Sequence, residues 1–128
     1  MDIVHGTVIS GEGDYARWIT LYQADYWRKT GMRLYPGTLN IRLAHPYHLP
    51  VAQISRLEPS EYGGTIGISI LPVRILSRAG VVLRPDLPAG ATPEEADQRL
   101  AMLEVATDIK LRDAYGLKDG DTVTIEVS

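Results

Sequence analysis

The chain has 128 residues, no cysteine, no phenylalanine, and a net charge of −3 from thirteen basic and sixteen acidic side chains. That length predicts one domain over residues 1–128 with a single core. Without cysteine, disulfides, thiolate metal sites and cysteine nucleophiles are excluded. The acidic balance argues against broad nucleic-acid binding, and no apolar run reaches the ~18 residues of a membrane span. The N-terminal residues carry neither a basic stretch nor an apolar core, so a cytoplasmic location is expected. The mixed, slightly acidic charge is compatible with a monomer, which is the expectation here. Seven tyrosines and two tryptophans among Val, Ile and Leu suit a β-rich core.

Residues 6–10 are β-branched and read as a strand that ends at a loop of Gly11, Glu12, Gly13 and Asp14. Residues 15–20 are expected to form a second strand. From 21 to 29 the apolar positions Leu21, Tyr22, Tyr26 and Trp27 follow helical spacing, with Gly31 as the stop. Tyr35, Pro36, Gly37 and Thr38 form a turn into residues 39–43, where apolar and polar residues alternate as in a half-buried strand. Residues 44–50 are a proline-punctuated loop. Strands are predicted at 65–71, 73–76 and 81–83, with 77–80 as a hairpin loop and Pro72 at an edge or bulge.

Thr92, Pro93 and Glu95 make a capping box that opens a helix ending near Ala101. Residues 103–106 return to strand. Asp108 is expected to cap a short helix over 109–115, which Gly116 ends. Residues 118–121 are a tight turn, and 122–127 a closing strand. About six strands with two or three short helices predict a mainly β, closed barrel.

No glycine-rich phosphate cradle of the Walker type is present. The Gly11–Gly13 pair could let backbone amides approach an anion, although such pairs also serve ordinary turns. His45 and His48 flank a proline that denies them a helical frame, and read as loop residues. Thr38 and Asn40 lie two apart on an extended segment, so their side chains leave one face. A hydroxyl and an amide carbonyl are hard oxygen ligands that Mg²⁺ accepts when phosphates supply the rest. By itself the segment also reads simply as a turn entering a strand.

The run Pro36-Gly37-Thr38-Leu39-Asn40 after a glycine loop, with Leu111-Arg112 and then Leu117-Lys118-Asp119-Gly120-Asp121, resembles the archaeal-type CTP-dependent riboflavin kinases. The resemblance covers most of the chain and implies a six-stranded cradle-loop β-barrel. It implies transfer of the γ-phosphate of CTP to the 5′-hydroxyl of riboflavin, giving FMN and CDP with Mg²⁺. In that family the threonine and asparagine hold the metal, which here are Thr38 and Asn40. The glycine loop, Gly11 to Asp14, lies against the nucleotide, as do Ile109, Lys110, Leu111 and Arg112. Glu104 stands where the family's glutamate contacts the flavin, and it is the candidate catalytic group. Thr92 falls in the region of a flavin-contacting threonine, a position that helix capping explains equally well. The glycine loop is shorter than usual for the family, and extra residues separate Pro85 from Glu104. Two other functions compete with this reading. One is a non-catalytic flavin- or nucleotide-binding barrel, against which stands the joint retention of Thr38, Asn40 and Glu104. The other is a DNA-binding regulator, against which stands the charge.

Overall fold

A computed structural model describes residues 2–11 and 15–127. Its strands are β1 (Asp2–Ile9), β2 (Leu39–Leu43), β3 (Ser55–Leu57), β4 (Ile68–Ile75), β5 (Arg78–Pro85), β6 (Met102–Ala106) and β7 (Thr122–Val127). Its helices are α1 (Tyr15–Leu21), α2 (Gln23–Thr30), α3 (Pro59–Tyr62), α4 (Pro93–Leu100) and α5 (Leu111–Tyr115). Neighbouring strands pair antiparallel in the order β4-β5-β6-β2-β1-β7, and β7 pairs back onto β4. The result is a closed six-stranded barrel, as expected, with the three-residue β3 added to one edge of β4.

Alternation fills the barrel. Leu39, Ile41 and Leu43 of β2, Leu103 and Val105 of β6, and Val123, Ile125 and Val127 of β7 point inward with Leu71, Val73 and Ile75 of β4. A second cluster lies outside the barrel wall, where Tyr15 and Ile19 of α1 and Tyr26 of α2 cover Ile70, Val81, Leu83 and Ala106. Strands β4, β5 and β6 are therefore apolar inside and partly covered outside, and the outer cover is what frames the site.

Three local expectations are corrected. Residues 15–20 are helix, not strand: Tyr15, Ile19, Tyr22 and Tyr26 recur at helical spacing and face the barrel, which outweighs the strand preference of Tyr, Trp, Ile and Thr. The hairpin loop is not 77–80 but a two-residue turn at Leu76 and Ser77, both at positive φ (52° and 63°), and Arg78 to Gly80 already belong to β5. Asp108 does not cap α5. The helix begins later, with Lys110 at the N-cap, and Asp108 instead accepts from Arg78 at 2.8 Å.

Two segments expected as separate strands, 65–71 and 73–76, merge into β4. Pro72 sits between the part of β4 that pairs with β3 and the part that pairs with β7. On its other side Pro72 stands opposite Val81 within the β4–β5 ladder. The capping box is confirmed: Thr92 Oγ1 accepts from Glu95 N–H at 3.2 Å, with Pro93 at the first helical position. Gly31 ends α2 in the left-handed region at φ 70°, its N–H returning to Trp27 O at 2.8 Å. Among the described residues no helix is long and apolar enough to cross a membrane.

Candidate active site

Strand register builds the centre of the site. Asn40 of β2 lies opposite Glu104 of β6 on one side and opposite Ile9 of β1 on the other. Directly opposed residues of antiparallel strands leave the same face, so Asn40 and Glu104 are forced together on the outer side of the barrel. Asn40 is only 8% exposed. Its amide satisfies both neighbours in one orientation: the NH₂ donates to Glu104 Oε1 at 3.2 Å, and the oxygen accepts from Gly11 N–H at 3.1 Å. In the opposite orientation the oxygen accepts from Thr38 Oγ1 at 3.4 Å. Thr38, Asn40, Glu104 and the root of the glycine loop thus form one cluster.

Gly11 is irreplaceable for a steric reason. A Cβ at this position would fall 1.5 Å from Asn40 Nδ2, so any side chain would displace the amide or the loop. The loop root is held from the other side by Arg112, which donates to Ile9 O at 3.0 Å and to Asp119 Oδ1 at 2.5 Å. Ser10 Oγ donates to the other oxygen of Asp119 at 2.6 Å. The Ser10 hydroxyl and then the Arg112 guanidinium hold the Asp119 carboxyl below its ordinary value.

The residues from 109 to 112 serve in different ways. Leu111 is buried in the barrel core, Ile109 is half-buried with its N–H bonded to Thr107 Oγ1, and Lys110 is exposed with Asp113 3.7 Å away. Thr92 caps α4 and does not line the cavity described next. Glu12, Gly13 and Asp14 lie outside the described residues.

Beside this cluster opens a cavity of about 760 Å³. Its wall is aromatic: Trp18 stacks on Tyr22 at 5.8 Å with planes 5° apart, and Tyr22 meets Tyr62 edge-on at 4.9 Å. Tyr15, Tyr26, Asn40 and Glu104 also line it. Such a wall suits a flat, conjugated ligand. Burial pushes the Glu104 carboxyl up to about 7, with the positive charge of Arg99 opposing. Donation from the Asn40 amide acts in the same direction as Arg99. Arg42 and Arg99 stand where the cavity joins a smaller one of about 570 Å³, under α4.

Thr38 and Asn40 supply two neutral oxygens. Among the described residues no group of three or more His, Asp or Glu could hold a metal. The pair fits a small hard cation whose remaining ligands are phosphate oxygens, because neither side chain brings the negative charge a protein-only site would need. Sequence reasoning missed the aromatic wall, although Tyr15, Trp18 and Tyr22 carry the helical spacing that would have placed them together. It also missed the Ser10–Asp119–Arg112 tie, which joins residues far apart in the chain.

Residues 8–127 match a family model labelled CTP-dependent riboflavin kinase and described as a domain of unknown function, DUF120. The chain belongs to the CTP-dependent riboflavin kinase family. It is 30% identical over 131 residues to a riboflavin kinase of Methanocella arvoryzae, covering 96% of this chain and 56% of that protein. A riboflavin kinase of Pyrobaculum aerophilum is 33% identical over 135 residues, with 95% and 59% covered. One from Aeropyrum pernix is 30% identical over 129 residues, covering 94% of this chain and 92% of the relative. The chain thus spans little more than half the length of the first two riboflavin kinases and nearly the whole of the third. Its family membership covers the glycine loop, the Thr38–Asn40 pair, Glu104 and α5 together.

Proposed function

We propose that the chain is a riboflavin kinase that transfers the γ-phosphoryl group of CTP to the riboflavin 5′-hydroxyl, yielding FMN and CDP. The observation that carries the reading is the juxtaposition at the end of the aromatic cavity. Thr38 and Asn40 offer two hard oxygens, Glu104 lies directly opposite, and the glycine loop is rooted on the same amide. The cavity has the volume and the aromatic lining for an isoalloxazine ring. CTP as donor rests on the family to which the chain belongs.

Phosphoryl transfer asks the protein chiefly for alignment and charge neutralisation. Thr38 and Asn40 would hold the Mg²⁺, which would supply neutralisation of phosphate charge. Turning the Asn40 oxygen toward Thr38 presents both ligands on one side. The loop root at Gly11 and the first turn of α5 flank the nucleotide, and Arg112 keeps that root in place. Glu104 accepts a hydrogen bond from the 5′-hydroxyl and takes its proton as the oxygen attacks phosphorus. The aromatic wall holds the ring and excludes water from the reacting end. We take the active form to be a monomer that binds only small molecules, working in the cytoplasm.

The test is chromatographic. Purified protein is incubated with riboflavin, Mg²⁺ and each of CTP, ATP, GTP and UTP, and FMN is quantified. The expected result is FMN formation that favours CTP. Formation with a different nucleotide would keep the kinase and reassign its donor. Folded protein that binds riboflavin but makes no FMN with any donor would overturn catalysis and leave a flavin-binding barrel.

A further inference from the structure

Tyr15 opens α1, lines the aromatic cavity and is 7% exposed. Its hydroxyl is shut off from water and has no hydrogen-bond partner. Among the described residues the only other buried side-chain polar atom in that condition is Arg78 Nε, which does not line this cavity. An unpaired buried hydroxyl is destabilising, a cost that a phenylalanine of the same shape would avoid. A ligand that supplies the missing partner accounts for the hydroxyl.

The charged and polar groups that act on the Tyr15 hydroxyl are Glu104, Tyr26, Arg99 and Tyr62, and all four line the cavity that Tyr15 itself lines. Burial, and after it the charge of Glu104, pushes this phenol well above its ordinary value, so it remains a protonated donor.

Which part of a flavin it meets follows from Glu104. That carboxylate touches the Asn40 amide, at the end of the cavity where metal and phosphates would gather. The hydroxyl that attacks phosphorus is the last group of the ribityl chain. Ligand atoms beside Glu104 are therefore chain atoms, and the ring lies outward, toward Trp18, Tyr22 and Tyr62. We infer that the Tyr15 hydroxyl hydrogen-bonds the ribityl polyol and makes Tyr15 the residue that selects a hydroxylated side chain over a bare isoalloxazine. This rests on the riboflavin kinase reading. A polyol hydroxyl both donates and accepts, so it can pair with Tyr15 in either sense. Riboflavin supplies the partner that the buried phenol lacks in the free protein, whereas a flavin without the polyol supplies none, and that difference is the source of the discrimination.

The experiment titrates nucleotide-free protein with riboflavin and with lumiflavin, in which a methyl group replaces the ribityl chain. Quenching of flavin fluorescence is followed for the wild type and Tyr15→Phe, and thermal melts are recorded for both. The wild type is expected to prefer riboflavin. Tyr15→Phe is expected to lose roughly fivefold to tenfold in riboflavin affinity and nothing for lumiflavin, with no fall in Tm. An equal loss for both flavins would mean that the hydroxyl reads the ring, and would overturn the inference. An undiminished preference for riboflavin in the variant would overturn it too, as would a lowered Tm with both affinities unchanged. These outcomes leave the kinase reading standing if the wild type still makes FMN. A wild type that binds neither flavin would instead overturn that reading, and this inference with it.

Discussion

Asn40 reaches Glu104 and Gly11 in one orientation of its amide and Thr38 in the other, from a position almost closed to solvent. Removing the amide deletes the tie to the loop and, on the proposed reading, an oxygen for the metal, while leaving the barrel core, on the other face of β2, untouched. Asn40→Ala should therefore abolish FMN formation and leave the circular dichroism spectrum unchanged. Gly11→Ala drives a methyl group into the same amide, and we expect roughly a hundredfold loss in kcat/KM, since displacements of about 1 Å cost that much. Normal turnover by Gly11→Ala would show that the loop is not rooted on Asn40 during the reaction. Glu104 makes a separate prediction for the metal-free protein. Its carboxyl moves from an ordinary 4.5 up to about 7, so the folded state holds the proton more tightly than the unfolded chain. The resulting contribution is present below about 4.5 and is lost as pH rises toward 7. Urea melts across this range should show stability falling, and Glu104→Gln should flatten that part of the curve. Asp119 has the opposite sign: its lowered value adds stability at neutral pH that disappears as acid protonates it. At this scale the sequence was informative about Thr38 and Asn40 as residue types in a recognisable run, and about Glu104 as a family position further along. It was silent about Tyr15, because a lone buried hydroxyl is visible only once its surroundings exist.

Elements were legible where local chemistry is strong. The Thr92 box, Gly31, Gly116 and the alternation of β2 and β7 each act over a few residues, and each appears where expected. Thr92→Ala should cost about 1 kcal/mol, read as a lower denaturation midpoint, because the Thr92 oxygen accepts the Glu95 N–H. Errors arose where tertiary contact overrode propensity. Tyr15 to Thr20 carries strand-favouring residues, yet a helix alone lets Tyr15 and Ile19 bury on one face against the barrel. The β4–β5 hairpin is tighter than its composition suggests. Leu76 and Ser77 occupy left-handed conformations that such turns require and that asparagine and glycine normally fill. Ser77→Gly should accordingly raise stability by about 1 kcal/mol. An unchanged or lower urea midpoint would refute a strained turn.

At the scale of the whole molecule, closure depends on a short seam. Only Val73 to Ile75 of β4 pair with Val127 to Ile125 of β7, yet this seam completes the barrel around Ile41, Leu103 and Ile125. Ile125→Ala should cost about 2–5 kcal/mol in a single cooperative transition, because it opens a cavity at the seam. A loss well below that would mean the seam repacks. The amino-acid sequence by itself determined the mainly β class, most strand and helix positions, the family run that contains Thr38 and Asn40, and Glu104 as a separate family position. Those properties rest on periodicity, capping and residue type, which act within a few positions. The tertiary structure alone decided that β2 and β6 pair with Asn40 opposite Glu104, that α1 turns an aromatic face toward them, and that Ser10, Arg112 and Asp119 tie the loop. Such juxtapositions arise from register and closure between segments as far apart as residues 11, 40 and 104, and no short-range pattern encodes a distance in space.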